Sequence, residues 1–124
     1  RALKTWFTFK VHGAERMGEA IAHTCALARH LAEQIEATPE LELLAPVTLN
    51  IVCFRHRGAA HGDSDAFNGE IVADLHESGI AAPSTTTIAG RLAIRAAIVN
   101  HRTRAEDVDA LLAGVLRFGA ARLS

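Results

Sequence analysis

The stretch GRLAIRAAIVNHRTRAEDVDALL, Gly90 to Leu112, decides how the rest of the chain is read. From Arg91 to Val99 it alternates with the period of a strand. Leu92, Ile94, Ala96 and Ile98 fall on one face, and Ala93, Arg95, Ala97 and Val99 on the other. The first face is bulky and aliphatic and belongs against a core; the second is small residues around one guanidinium. Thr103 and Glu106 then form a Thr-x-x-Glu capping box, and Val108, Leu111, Leu112 and Val115 give the helix that follows one apolar stripe. Strand, short polar turn and amphipathic helix follow in order, and Arg95 is the residue this organisation leaves unexplained. A buried unpaired charge costs several kcal/mol, so Arg95 either pairs with a carboxylate on a neighbouring element or is reserved for a ligand. Its planar fork of donors suits a carboxylate or phosphate, and the small side chains of Ala93 and Ala97 leave room beside it.

Outward from this stretch, Ala89 and Gly90 turn the chain into the strand from Ile80 to Ile88, where Pro83 and a run of threonines suit an edge strand starting after the proline. Before it, Asp63 or Ser64 caps a helix from Asp65 to Ser78, with Phe67, Ile71 and Leu75 inward and Gly79 closing it. Arg55 to Asp63 is rich in Gly, His and Arg and reads as a loop. Val47 to Phe54 alternates as a strand with Val47, Leu49, Ile51 and Cys53 on one face, and Leu41 to Leu44 is a shorter strand ended by Pro46. Two helices come first. One carries Leu3, Trp6, Phe7 and Val11 and ends at Gly13. The other runs from about Ala14 to Ala37, with Met17, Ile21, Cys25, Ala28, Leu31 and Ile35 along one side and Thr38 and Pro39 stopping it. Because the strands alternate, the fold expected is α+β, a small, mainly antiparallel sheet with helices on one face and the other face, with Arg95, left free.

At 124 residues the chain is expected to be a single domain, 1–124, large enough for its own core. A formal net charge of -1 gives no field that would attract nucleic acid or an anionic membrane, and no apolar run reaches transmembrane length. Cys25 and Cys53, within a helical and a strand-like pattern respectively, read as free thiols that act as small buried hydrophobes. The chain begins at Arg1 inside a helical pattern without an initiator methionine, which suggests a piece of something longer. Of the histidines His12, His23, His30, His56, His61, His76 and His101, only His56 and His61 share a loop with an acid, Asp63, and Arg55 and Arg57 there would repel a cation, so no metal is expected. Arg102 and Arg104 could hold an anion at the last helix, but the capping box already takes part of that site. Nucleophile and phosphate-loop motifs are absent, and the lysines, Lys4 and Lys10, sit in the first helix, a poor place for a Schiff base. No catalytic or cofactor-binding residue is therefore expected within the chain.

Four blocks, RALKTWFTFKVHG at 1–13, LNIVCFRHR at 49–57, GIAAPSTTTIAGRLAIRAAIVNHRT at 79–103 and EDVDALL at 106–112, together resemble the carboxy-terminal domain of the pyridoxal-phosphate-dependent group II decarboxylases. That family includes the aromatic amino acid, glutamate and diaminobutyrate decarboxylases. The resemblance implies the small domain of a fold type I enzyme, a cytoplasmic carboxy-lyase that converts an L-amino acid to an amine and carbon dioxide. It also implies an upstream large domain that carries the cofactor's lysine and most of the pyridoxal phosphate site, usually in a homodimer. This chain would then supply substrate positioning and subunit packing, bind no cofactor covalently and be inactive alone. Arg95 matches the family's strand arginine, which in similar enzymes lies near the substrate carboxylate or the active-site mouth. Closer relatives often have Asn-Gly before this strand, where this chain has Ala89 and Gly90. The rival expectation is a non-catalytic α+β module that dimerises or binds a small anion through Arg95 and the Arg55 to Arg57 loop. Sequence upstream of Arg1 discriminates: the first reading expects roughly three hundred further residues with a His-Lys pair.

Overall fold

The computed structural model describes residues 2–58, 63–99 and 102–123, with backbone alone for 2–17. The expected stripe of Leu3, Trp6, Phe7, Val11 and Met17, and the side chains of Lys4, Lys10, His12, His61 and His101, lie outside the described residues.

The chain opens with one helix, α1, Ala2–Glu36, where the sequence pattern predicts two. Gly13 does not end it. An interior glycine costs only about 1 kcal/mol relative to alanine, and the residues after it, Ala14 to Met17, favour helix, so the turn ladder continues. Thr38 Oγ1 donates to the Gln34 carbonyl at 2.7 Å, and Pro39 follows the last turn. Along the described part of α1 the buried residues are Thr24, Leu27, Ala28, Leu31, Ala32 and Ile35, while Ile21 is exposed and Cys25 half-buried. The apolar pattern thus starts a turn before the helix reaches the rest of the core.

The strands are β1 (Leu41–Leu43), β2 (Ile51–His56), β3 (Ser84–Ile88) and β4 (Arg91–Ala97), in the antiparallel order β1-β2-β4-β3. The helix α2, Ser64–Ser78, lies between β2 and β3 in sequence; α3, Ala105–Leu123, closes the chain. Residues paired across the ladder, Val52 with Ala96 and Phe54 with Ile94, point to one side and are buried with Ile71, Leu75, Val108 and Val115 of the helices. The three helices cover that face, and the predicted one-sided α+β architecture is the one observed.

β1 and β4 end at Leu43 and Ala97, one and two residues short of the expected Leu44 and Val99, and three further boundaries differ with a visible cause. β2 begins at Ile51, because Thr48 and Ile51 exchange backbone hydrogen bonds around a tight turn in which Leu49 has φ +52° and is 72% exposed. Val47 and Leu49 therefore precede the strand, and its core face is Val52 and Phe54, with Ile51 and Cys53 on the other. β2 also runs on through Arg55 and His56, the start of the predicted loop. At α3 the cap moves by one residue: Asp107 Oδ2 accepts the Arg104 N–H at 2.8 Å, in place of a Thr103 and Glu106 box. The remaining helix ends follow the sequence. Asp63 caps α2 by accepting from Asp65 and Ala66 N–H, and Gly79 closes it in the left-handed region. His23 and His30 tie α1 to the Thr103 carbonyl and to Asp109 of α3, at 2.7 and 3.0 Å.

Candidate functional site on the open face of the sheet

The uncovered face of the sheet divides into a charged end and an apolar end, with Arg95 between them. Register puts Cys53 of β2 and Ser84 of β3 opposite Arg95 on β4, so small side chains flank the guanidinium on both neighbouring strands. Arg95 is half-buried, and among the described residues it has no carboxylate within ion-pair distance. This corrects one premise drawn from the sequence. Arg95 is not fully desolvated, so nothing compels an internal acid partner. Its charge is felt by Cys53, whose thiol is pushed up by burial while the guanidinium opposite pulls it down.

The fully buried guanidinium is that of Arg55, 3% exposed, which the sequence placed in a loop. β2 and β4 cease pairing beyond Phe54 and Ile94, and Asp65 from the first turn of α2 reaches into the opening. Its Oδ1 accepts the Leu92 N–H at 3.0 Å and Arg55 Nη2 at 3.5 Å. Glu42 on β1 reaches over β2 to Arg91 on β4, with both carboxylate oxygens accepting at 3.3 and 3.1 Å, and takes Arg57 Nη1 at 3.5 Å. The Arg91 hydrogen bond holds the Glu42 carboxyl below its ordinary range against the opposing effect of desolvation. Arg55 and Arg57 are thus both engaged with carboxylates, which removes them from the anion site expected for the rival reading. Nothing in the alternation of β1 singled out Glu42. The signal was register, which the sequence does not carry.

Towards the other end the same face carries Ile51 and Ala97, directly paired, beyond which Leu49 and Val99 are exposed, the latter 80%. Asn50 fixes this end: its Nδ2 donates to the Ile98 carbonyl at 2.8 Å, and the Ile98 N–H donates to the Asn50 carbonyl at 2.9 Å. A cleft of about 470 Å³ opens where β4 leaves the sheet, lined by Pro83, Ser84, Arg95, Val99, Asp107 and Leu111 among others. An amino acid carboxylate has room there. The described side chains include no lysine that could hold pyridoxal phosphate as a Schiff base. His56, expected in a loop beside His61 and Asp63, is instead buried at the end of β2, and among the described residues no three metal-ligating side chains meet. Both cysteines are free, and among the described residues no helix is long and apolar enough to cross a membrane.

Residues 1–57 match the family model described as the pyridoxal-dependent decarboxylase conserved domain. An aromatic-L-amino-acid decarboxylase of Bacillus atrophaeus is 32% identical over 111 residues, covering 87% of this chain and 23% of the relative. In three dimensions the chain superposes on Oryza sativa TDC, solved with PLP and tryptamine, with a TM-score of 0.84 at 23% identity, over 98% of this chain and 27% of that one. It also superposes on the glutamate decarboxylase domain of a diaminobutyrate-pyruvate transaminase and L-2,4-diaminobutyrate decarboxylase from Vibrio parahaemolyticus. That match has a TM-score of 0.81 at 27% identity and covers 97% of this chain and 26% of the other. The chain spans about a quarter of the length of the proteins it matches.

Proposed function

Because the chain belongs to the pyridoxal-dependent decarboxylase family, we propose that it is the small, carboxy-terminal domain of an amino acid decarboxylase and that Arg95 positions the substrate carboxylate. The observation that carries the reading is an arginine on the uncovered sheet face, at a cleft, with small neighbours and no acid partner among the described residues. A large domain packed against that face would hold the cofactor, and two such chains would form the working homodimer. The electron-accepting chemistry of carbon dioxide loss belongs to pyridoxal phosphate, outside this chain. What this chain contributes is geometry. A guanidinium gripping both carboxylate oxygens fixes the orientation of the substrate, and partial enclosure strengthens the grip by excluding water.

The test is substitution in the full-length enzyme. Arg95→Ala should lower kcat/KM by about ten- to a hundredfold, the worth of a charge-assisted contact to an ionised group, while thermal stability changes little because the side chain holds no internal ion pair among the described residues. Arg95→Lys should recover only part of the loss, since an ammonium cannot reproduce the two-pronged grip. Activity close to that of the parent in Arg95→Ala would make the arginine structural and remove the site.

A further inference from the structure

His56 combines burial, a defined tautomer and close contact with two helices. It is 4% exposed at the end of β2. Its backbone N–H donates to Asn68 Oδ1 at 2.8 Å, and its carbonyl accepts from Asn68 Nδ2 at 3.0 Å, so α2 holds the residue from both sides of the peptide. The Phe67 ring meets the imidazole edge-on at 5.1 Å between centroids. On the α3 side the ring lies so close to Gly119 that a Cβ there would sit 2.6 Å from its Cδ2 and Nε2. The remaining ring nitrogen, Nδ1, accepts the Gly58 N–H at 2.9 Å. An imidazole that accepts at Nδ1 carries its proton on Nε2 and is neutral.

The short turn after β2 depends on that acceptor. Gly58 has φ +66°, and its Cα packs against the Phe67 ring closely enough that an added Cβ would meet it at 3.2 Å. Arg57 is held through its own N–H to the Glu40 carbonyl at 2.8 Å and its Nε to the Pro39 carbonyl at 3.0 Å. We propose that His56 is an acid-operated latch: the neutral ring keeps the Arg57–Gly58 turn closed against α2, and a proton taken up from solvent at Nδ1 opens it. The imidazolium has a donor where the Gly58 N–H requires an acceptor, so bond and charge state exclude each other. The carboxylate acting on the ring is Glu40, ahead of β1, which favours the proton. Arg55 and Arg57, on either side in sequence, are directed to Asp65 and Glu42. α2 presents Phe67 and Asn68 to His56, and α3 presents Gly119, none of which titrates. Burial outweighs Glu40 and holds the ring below its ordinary value of 6.5. Because Arg57 also bonds Glu42, opening the turn would loosen the charged end of the sheet face, far from the apolar end.

The latch is tested by nuclear magnetic resonance on the 124-residue chain, whose core is continuous within itself. At about pH 7 the His56 nitrogens should report the Nε2–H tautomer. The protection of the Gly58 amide, corrected for intrinsic exchange, should fall about tenfold as His56 titrates, the loss expected for one hydrogen bond. The two transitions should share a midpoint below that of an exposed histidine. In His56→Leu the Gly58 protection should be low at neutral pH already and insensitive to acid. The proposal is overturned by an Nδ1–H tautomer at neutral pH, or by Gly58 protection that does not change while His56 titrates. Should the leucine variant fail to fold, the wild-type titration alone decides. Deuterium exchange of the peptide spanning Phe54 to Gly58 in the full-length enzyme should show the same acid onset.

Discussion

Asn68 shows how much one side chain can fix when it is fully enclosed. At 0% exposure its amide serves the His56 N–H, the His56 carbonyl and the Ser64 carbonyl, at 2.8, 3.0 and 2.8 Å, joining β2 to the first turn of α2. Asn68→Ala leaves the His56 N–H and carbonyl without partners inside the protein, while the Ser64 carbonyl keeps its helix bond, and should cost about 2–4 kcal/mol. The expected readout is a lower denaturant midpoint at an unchanged slope; an unmoved midpoint would mean that water replaces the amide without loss. Neither Asn68 nor its partner was visible in the sequence, where Asn68 reads as one polar residue on an amphipathic helix. At Arg55 and Arg95 the sequence argument was sound and its placement was reversed. A guanidinium in the sheet does need an acid when buried, and Asp65 meets that need for Arg55, because the strand runs two residues beyond its apolar alternation. Alternation marks the faces of a strand but does not say where pairing stops; the stop beyond Phe54 and Ile94 buries Arg55, whereas Arg95 lies towards the other end, where β4 leaves the sheet.

Among the elements, the hairpin joining β3 to β4 offers a direct test of turn chemistry. Ala89 and Gly90 have φ +52° and +77°, the pair of positive values that a two-residue type I′ turn requires. Alanine is disfavoured there by its Cβ, whereas asparagine tolerates the left-handed region. Ala89→Asn should therefore raise stability by about 1 kcal/mol, seen as a higher melting temperature, and a decrease would show that the turn is held by something other than its own backbone preference. α3 supplies a paired comparison. A Cβ at Gly119 would meet the enclosed His56 ring at 2.6 Å, whereas at Gly114 it would meet the end of the Leu75 side chain at 2.7 Å. Alanine gains about 1 kcal/mol of helix propensity at either site. A ring clamped by two helices cannot yield, so Gly119→Ala should be net destabilising by about 1–2 kcal/mol, while a rotamer adjustment of Leu75 should leave Gly114→Ala near neutral. Equal melting shifts for the two would refute the clamp. The hairpin, the α2 caps and the edge position of β3 were legible because Gly, Pro and Asp act locally. The uninterrupted α1 was not, because a glycine's small penalty is decided by what surrounds it.

For the whole molecule the one-sided sheet was legible from period alone, and the charged bridge across its open face was not, since it joins β1 to β4 through a strand order that no local pattern specifies. That bridge and the buried histidine lead to one expectation about acid. Glu42 is held below its ordinary value of 4.5 by Arg91, Asp74 below 3.8 by Arg122, and His56 below 6.5 by burial. Each group has a folded value lower than its unfolded one, so each contributes stability that is present above the unfolded value and is lost as pH falls through the folded one. The losses have the same sign and occur in sequence. Stability should be level near neutrality, decline in a first step below 6.5 as the unfolded chain takes up a proton at His56 that the folded one resists, and decline again below 4.5 as Glu42 and Asp74 are protonated. Denaturant midpoints measured across that range separate the steps. Glu42→Gln should reduce the second and leave the first in place, because Glu42 bonds Arg91 and Arg57 and has no hydrogen bond to His56. The surface pairs of Glu42 and Asp74 should also weaken with added salt, whereas the His56 step, which arises from burial, should not. A profile that stays flat down to the carboxylate range would show that His56 is as easily protonated in the folded chain as in the unfolded one.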